Sequence, residues 1–235
     1  MKRTREIEFR EGEFIVKTLS GEELQQAYRL RHRVFAESLG WVSQSDDRRE
    51  VDLYDLWGTM IGLVRDDGTL AGVARLLPSS GPFMLEQDLA SLLPPGYQVR
   101  KAPDTAEITR LAIDPDIRDQ GRSGKILRVL LKGVYQWAIE NEIRFYYLEV
   151  EERFLRVLRA CGFPCEPLGP AVSLPPAYAR SVAALYDMVQ FDQLNSRCRP
   201  HFREWMSVIQ TLAGDVESGR DALSMFRSDE ATVGL

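Results

Sequence analysis

The chain has 235 residues, of which 44% are hydrophobic and 28% charged, and its formal net charge is −5. This composition is typical of a folded globular protein, and it excludes a disordered chain, which could not bury enough apolar surface. The negative charge gives no indication of nucleic-acid binding. No apolar run approaches the ~20 residues needed to cross a bilayer. We therefore expect a cytoplasmic protein with no nucleic-acid partner and no membrane span.

The cysteines and the length limit the architecture further. Cys161, Cys165 and Cys198 are an odd number with no histidine at ligand spacing, which predicts neither a disulfide framework nor a metal site. The basic start of the chain lacks the apolar core of a signal peptide. The length favours one domain over 1–195 with an extension over 196–235.

The predicted elements alternate between helices and strands. A capping-box pattern at Ser20 and an apolar stripe predict one helix up to Leu39, ended by Gly40. A polar, acidic loop follows from Trp41 to Asp55. The later predictions are strands over 59–64 and 70–77 joined by a hairpin at 66–68, a short helix within 85–93, a strand over 106–113, a helix over 121–142, a strand over 144–150, a helix over 151–160, a strand over 182–189 and a tail helix near 202–212. This order predicts a mixed α/β sheet.

Several charged residues lie where apolar side chains are expected. Arg31 is one helical turn from Phe35, and Arg75 lies in an alternating apolar strand. Glu107 and Arg110 interrupt another apolar strand, on opposite faces unless a bulge turns one of them. Buried guanidinium groups need partners, so these residues indicate either structural ion pairs or a polar cavity. Their number favours the cavity.

The acidic loop concentrates three carboxylates, Glu50, Asp52 and Asp55, within six residues. Such a run is most often a solvated surface. It could also bind a cation, either an arginine of this chain or a positively charged ligand, and the indole of Trp41 would add a cation-binding face. The spacing does not fit a calcium loop.

A Gly- and Arg-rich segment over 118–124 joins a predicted strand to a predicted helix. Backbone amides at a helix start, next to positive side chains, favour phosphate. The segment is not a Walker A loop, and a plain turn before a helix would look similar.

Taken together, these residues resemble the acyl-homoserine lactone synthase, or autoinducer synthase, family over about residues 14–190. The matching motif residues are Arg31, Phe35 and Trp41 in the opening motif, Glu50, Asp52 and Asp55 in the acidic motif, Arg75 and Phe83 in the next block, and Glu107, Thr109 and Arg110 in the Glu-x-Ser-Arg signature. Thr109 replaces the family's serine but keeps the hydroxyl, and Leu89 stands where the family generally has phenylalanine.

The resemblance implies a fold and an activity. The fold is a single GNAT-type α/β domain, a twisted mixed β-sheet flanked by helices with splayed central strands. The reaction transfers an acyl group from a thioester to the amine of S-adenosylmethionine and releases an N-acyl-homoserine lactone and methylthioadenosine, without a prosthetic group.

The resemblance also implies roles for the motif residues. The catalytic residues are Glu107 as general base, Thr109 and Arg110. The substrate-binding residues are Arg31, Phe35, Trp41, Glu50, Asp52, Asp55, Arg75 and Phe83, and Arg118, Gly121 and Ser123 match a pyrophosphate-binding loop. We expect residues 199–235 of the extension to be dispensable for the chemistry, because every motif lies upstream of them.

The acyl donor and the product class each have an alternative. The basic run Arg118, Arg122, Lys125, Arg128 and Lys132 suits acyl carrier protein, an acidic partner, whereas the loop over 118–123 suits coenzyme A; the family pattern favours the carrier protein slightly. The alternatives to lactone synthesis are an N-acyl amino acid synthase of the same fold and an inactive ligand-binding regulator.

Overall fold

The computed structural model describes residues 4–119, 123–218 and 222–226. Its strands are β1 (Glu8–Glu11), β2 (Phe14–Thr18), β3 (Thr59–Arg65), β4 (Leu70–Pro78), β5 (Thr105–Ile113), β6 (Phe145–Glu151), β7 (Glu166–Pro167), β8 (Val172–Leu174), β9 (Ala179–Asp187), β10 (Val208–Gln210) and β11 (Val216–Ser218). Its α-helices are α1 (Gly21–Arg31), α2 (Pro115–Asp119), α3 (Ser123–Asn141), α4 (Glu152–Ala160), α5 (Met188–Cys198), α6 (Pro200–Ser207) and α7 (Ala222–Phe226).

The strands of the described residues form one mixed sheet. Its order is β11-β10-β1-β2-β3-β4-β5-β6-β9-β7, with β8 paired to β9. Neighbouring strands are antiparallel except β5 and β6, which are parallel because α3 lies in the connection between them. This arrangement confirms the predicted α/β class.

The two faces of the sheet bury different kinds of residue. On β4, Ala74 and Leu76 pack in the large apolar core with α3, and a side chain at Gly72 would meet Ile126 of that helix at 3.5 Å. The alternate residue Arg75 points to the opposite face. We call that opposite face, which lies under α1 and the loops over 41–58 and 79–104, the loop face.

A β-bulge turns Arg110 toward the loop face. Arg75 lies opposite Thr109 and Val73 opposite Ala112, so two residues of β5 face one residue of β4. Arg110 has a φ of 51°, in the left-handed region that side chains rarely adopt. The bulge brings Arg110 to the same face as Glu107, which the strict alternation of a regular strand would prevent.

The central strands splay, as predicted. Hydrogen-bonded pairing of β5 and β6 runs from Thr105 opposite Phe145 to Ile108 opposite Leu148 and then stops. Beyond that point β5 continues along β4, while β6 continues along β9. The two strands therefore open a wedge at the height of the bulge.

The first predicted helix ends as predicted, with Leu39 as its C-cap and Gly40 at a φ of 62°, but its start and its helix type differ from the prediction. Ser20 makes no side-chain capping bond, so the predicted capping box is wrong. Gly21 has a φ of 52°, which turns the backbone away from the geometry that a capping side chain needs. The α-helical part ends at Arg31, and the chain continues directly as a π-helix over His32–Ser38. π-helical turns within a helix are frequent at functional sites.

The end of the chain also differs from the prediction. The strand predicted over 182–189 ends at Asp187, whose carboxylate accepts a hydrogen bond from the Val189 amide and begins α5. The tail helix stops at Ser207, because the next three residues form β10 and pair with β1. β1 and β2, at the other end of the chain, were not predicted.

No helix among the described residues is long and apolar enough to cross a membrane. Within the same residues, the acidic, histidine and cysteine side chains form no group suited to a metal ion.

Candidate active site

Arg31 is the first of three arginines that bind the acidic loop. It is fully buried, and its Nε donates to Glu50 Oε2. Its Nη1 and Nη2 donate to the two oxygens of Asp55 at 2.6 and 3.1 Å, a bidentate pair. Its guanidinium also lies 5.3 Å from the centre of the Tyr28 ring. The arginine of α1 therefore holds both ends of the acidic segment.

Arg75 joins the acidic loop to the Glu-x-Thr-Arg signature. Its Nη1 donates to Asp52 and, at 2.9 Å, to Asp55 Oδ1, and its Nη2 donates to Asp52 Oδ2 at 3.0 Å. Its Nε donates to Thr109 Oγ1 at 2.9 Å. Thr109 thus keeps the hydrogen-bonding role that a serine hydroxyl could fill.

Arg110 completes the arrangement from β5. Its Nε donates to Glu50 Oε1 and its Nη2 to Asp52 Oδ2, each at 3.0 Å. Its guanidinium lies 5.6 Å from the centre of the Phe35 ring. The bulge described above makes these contacts possible, because it aims Arg110 at the loop.

Three guanidinium groups and three carboxylates therefore form a closed set, which we call the ion cage: Arg31, Arg75, Arg110, Glu50, Asp52 and Asp55. Their formal charges cancel, and the partners of the arginines are the acidic loop itself, one of the options that the sequence left open. Burial would raise the pKa of Asp55, but its bonds to Arg31 and the charge of Arg75 hold that pKa below the ordinary value.

Hydrogen bonds within the acidic loop also fix its shape. Asp52 precedes a 3₁₀ turn over Leu53–Leu56 and accepts a hydrogen bond from the Tyr54 amide at 2.9 Å. In return, Asp55 Oδ2 accepts from the Asp52 amide at 2.8 Å. This reciprocal capping fixes both carboxylates in the direction of the sheet.

Glu107 lies on the loop face with its carboxylate anchored by backbone. Its Oε2 accepts from the Met84 amide at 2.7 Å and its Oε1 from the Leu85 amide at 2.9 Å. The side chain is fully buried, and burial raises the pKa of Glu107 to about 7, although the two amides and the charge of Arg75 oppose the shift. A carboxylate with this pKa can take up and release a proton near neutral pH.

The aromatic candidates take two different positions. Phe83 is fully buried, with its ring 6.1 Å from Tyr147 and with Lys101 Nζ 3.4 Å from its centre. Trp41 is partly exposed and stacks on Phe35 at 5.9 Å. Phe83 is therefore part of the core beneath the site, while Trp41 offers an accessible indole at its edge.

A half-open cavity of about 160 Å³ adjoins the ion cage. It is lined by Thr4, Glu6, Thr18, Leu19, Leu24, Tyr28, Asp55, Gly58, Thr59 and Met60. Ligand pockets commonly reach ~300 Å³ or more, so in this conformation the cavity can hold only part of a nucleoside-sized molecule.

The predicted phosphate loop falls partly outside the described residues. Gly121 and Arg122 are not described, nor is the side chain of Arg118, whose backbone lies within the short helix α2. Ser123 begins α3. The pyrophosphate-binding role of this segment stays a prediction.

The basic run loses one of its predicted members. The sequence suggested that Lys132 contacts a carrier protein. In the structure Lys132 is buried and forms an ion pair with Glu11, so it cannot make this contact. The helical spacing places it on the face of α3 that packs on the sheet. Lys125 remains exposed and pairs with Glu13 at 2.8 Å.

Sequence reasoning missed one charged residue at this site. Glu149 on β6 follows Tyr147 by two positions, which puts it on the loop face beside Glu107. The negative charge of Glu107 raises the pKa of Glu149. The available signal was an acidic residue inside an otherwise buried strand, the same kind of signal that identified Glu107.

The chain matches the family model of autoinducer synthases over residues 16–189. An acyl-homoserine-lactone synthase of Agrobacterium fabrum (strain C58 / ATCC 33970) is 29% identical over 183 residues, which are 76% of this chain and 85% of that protein. The solved structure of the AHL synthase LasI has a TM-score of 0.66 at 24% identity and covers 74% of this chain and 89% of its own. The solved structure of BjaI, a CoA-dependent acyl-homoserine lactone synthase with SAM and isopentyl-CoA, has a TM-score of 0.63 at 22% identity. It covers 89% of this chain and 92% of its own. At these identities the two structures show a shared fold.

Proposed function

The chain belongs to the autoinducer synthase family, and from this premise we propose how its site performs the reaction. It is an acyltransferase of the acyl-homoserine-lactone synthase type, which agrees with the activity predicted from the motifs. The observation that carries the proposal is that four motif segments distant in sequence meet on the loop face, which also holds the titratable carboxylate of Glu107.

We assign Glu107 as the general base for the α-amine of S-adenosylmethionine. An α-amine has a pKa of ~7.7–8.0, whereas an ordinary glutamate lies ~3–4 units lower, which makes proton transfer uphill by ~5 kcal/mol. With the pKa of Glu107 raised to about 7, the gap narrows to ~1 unit, or ~1.4 kcal/mol. Burial thus makes this carboxylate a competent base at neutral pH.

The ion cage has a supporting role in this proposal. Its charges are paired, so it holds the acidic loop and the bulge of β5 in place without leaving an uncompensated charge in the interior. The indole of Trp41 is an accessible cation-binding group at the edge of the site, and we assign it to the sulfonium of S-adenosylmethionine. Arg110 and Thr109 act as positioning residues through the cage.

The acyl donor is a thioester, and acyl carrier protein stays our expected carrier. Its support is the exposed Lys125 and the family pattern; the loss of Lys132 from the basic run weakens that support. The structural relative BjaI is described as CoA-dependent, which keeps coenzyme A as the alternative. Steady-state kcat/KM with the same acyl chain on each carrier, at low and moderate salt, separates them, because docking of an acidic protein weakens as salt rises.

We infer that the reaction takes place in the cytoplasm. Cys161, Cys165 and Cys198 all carry free thiols, and Cys198 is exposed. Free, accessible thiols fit a reducing compartment.

The activity is tested with purified protein, S-adenosylmethionine and an acyl thioester. Mass spectrometry should detect methylthioadenosine and an N-acyl-homoserine lactone in equal amounts. Transfer of the acyl group to a free amino acid, with S-adenosylmethionine unchanged, would instead identify an N-acyl amino acid synthase. Absence of thiol release with any acceptor would identify a ligand-binding regulator.

A further inference from the structure

Glu149 lies at the mouth of the wedge between β5 and β6. Glu107 is opposite Tyr147 in the parallel register, and strand pairing ends one residue later, at Ile108 opposite Leu148. Glu149 is the next residue of β6 on the loop face, and here it has no strand on its β5 side. Its side chain therefore borders the opening between the strands, on the same face as the proposed base.

The two carboxyl groups differ sharply in their hydrogen bonds. Both oxygens of Glu107 accept backbone N–H groups, which favour the ionised form. Oε2 of Glu149 is buried and has no hydrogen-bond partner in the structure. An unsatisfied buried polar atom costs ~1–3 kcal/mol, so a group of this kind in a functional site calls for an explanation.

The charges around Glu149 favour its protonated form. Burial is the main cause that raises the pKa of Glu149 well above its ordinary value, and the negative charge of Glu107 raises it further. Arg110 on β5 and Arg75 on β4 act in the opposite direction without reversing the shift. Both arginines are already engaged by the ion cage.

We propose that Glu149 is the general acid of the acyl transfer and protonates the sulfur of the departing thiol. This inference rests on the proposed function, since it assumes a thioester donor. Two carboxyl groups whose surroundings give them different proton affinities are the usual signature of an acid and a base at one site. Glu107 takes the role of base, and Glu149 supplies the proton.

The step balances in atoms and charge. The amine nitrogen attacks the carbonyl carbon and forms the amide bond, the C–S bond breaks with its electron pair on sulfur, and sulfur takes the proton of Glu149. Glu107 has first passed the proton of the ammonium form to solvent, and it then takes the second proton, which the nitrogen loses on forming the amide. Transfer of that proton from Glu107 to Glu149 then restores the starting state, and the sum is one amide and one thiol.

The test compares Glu149→Gln with the wild-type chain on two donors that carry the same acyl group. One is an alkyl thioester, whose thiol has a pKa near the ~8.5 of cysteine, and the other is a thioester of thiophenol, whose thiolate leaves readily without a proton. The variant should lose ~10²-fold in kcat with the alkyl thioester, the low end of the effect of a general acid, and less than threefold with the thiophenol ester.

Two controls separate this role from others. Glu151→Gln changes the same residue type at the end of the same strand, where the carboxylate pairs with Arg153, and should leave both rates unchanged. Glu107→Gln should slow both donors alike, because the base acts on the amine. Thermal melting checks that each variant is folded.

The outcomes distinguish failure of the inference from failure of the proposed function. An equal loss with both donors, or no loss with the alkyl thioester, in a folded Glu149→Gln protein would overturn the acid assignment. The wild-type chain would still release lactone and methylthioadenosine in that case. A wild-type chain that makes no lactone would refute the proposed function instead.

Discussion

Asp55 is the residue whose substitution should reveal most about the ion cage. Its carboxylate accepts hydrogen bonds from Arg31 at 2.6 and 3.1 Å, from Arg75 at 2.9 Å and from the Asp52 amide at 2.8 Å. Its side chain is only 6% exposed. Asp55→Asn keeps the shape but removes one of three negative charges, so that two fully buried arginines share an incomplete set of partners.

The expected cost follows from that burial. Removing one partner of a buried ion pair destabilises by ~3–5 kcal/mol, and we expect the lower end, ~3 kcal/mol, because the asparagine oxygen still accepts one hydrogen bond. In a chain of this size ~1 kcal/mol lowers the melting temperature by ~2–4 °C. Asp55→Asn should therefore melt ~6–12 °C below the wild-type chain.

Thermal melting at neutral pH measures this shift, with Glu22→Gln as the matched control. Glu22 pairs with Arg29 on the same helix as Arg31, at 2.9 Å, but the two side chains are 69% and 52% exposed. Exposed pairs contribute ~0–1 kcal/mol, so the control should melt within ~4 °C of wild type. Equal melting temperatures of Asp55→Asn and the control would refute the ion cage as a structural element.

The pH dependence gives a second check on Asp55. Because its folded pKa is below its unfolded value, its contribution is complete above the unfolded pKa of ~3.9 and is lost as the pH falls through the folded value. The difference between Asp55→Asn and wild type should therefore shrink in acid. A difference that stays constant down to the acid limit would show that its charge is not the cause.

Three further substitutions test the site and the core. Glu107→Gln should lower kcat/KM by ~10²–10⁴-fold in a protein that is still folded at the assay temperature, and wild-type kcat/KM should rise as the pH passes about 7; near-normal turnover of the variant would end the base assignment. Trp41→Leu should raise the KM for S-adenosylmethionine by ~2–30-fold, as loss of a cation–π contact predicts, and an unchanged KM would remove Trp41 from the binding site. Gly133→Ala should lower stability by ~1–3 kcal/mol, because the added methyl would lie 2.7 Å from Val16. At Gly124 in the same helix no atom of the described residues lies within 4 Å of an added methyl, so Gly124→Ala should not lower it; equal urea midpoints would contradict this packing.

The charged motifs could be predicted from the sequence, but their pairing could not. Arg31, Arg75 and Arg110 stand out because a guanidinium on an apolar face needs a partner. Which carboxylate each arginine binds depends on the bulge at Arg110 and on the turn that follows Asp52, and neither has a local sequence signal strong enough to fix its geometry. The sequence accordingly left both structural ion pairs and a polar cavity open as surroundings of the arginines.

Long-range pairing explains the elements and residues that the sequence did not predict. The sequence alone predicts that Lys132 is an exposed charge on a helix. In the structure it pairs with Glu11 of β1, which is 121 residues away in the chain. β10 is only three residues long, and its pairing with β1 at the opposite end of the chain ends the tail helix early. Periodicity reports which face of an element is buried, but not which distant segment buries it.

The extension past residue 195 gives the last prediction, and its packing decides how to test it. The buried side chain of Met206 belongs to the main core, on the sheet face opposite the ion cage, and Gln136 binds its carbonyl at 2.5 Å. Deletion from residue 199 would therefore expose the core, and a loss of activity could then come from unfolding as well as from the chemistry. A single substitution on α6 avoids this problem.

Trp205→Ala is the appropriate change. The indole donates to Glu11 Oε1 at 2.9 Å, and Lys132 Nζ lies 4.7 Å from its ring. We expect a loss of ~2–3 kcal/mol, below the ~3–5 kcal/mol of a fully buried tryptophan, because Trp205 is partly exposed. His201→Ala, on the same helix but solvent-exposed, should change nothing. If the extension only supports the fold, kcat/KM per folded molecule stays within twofold of wild type; a tenfold fall in folded Trp205→Ala would show that the extension takes part in the chemistry across the sheet.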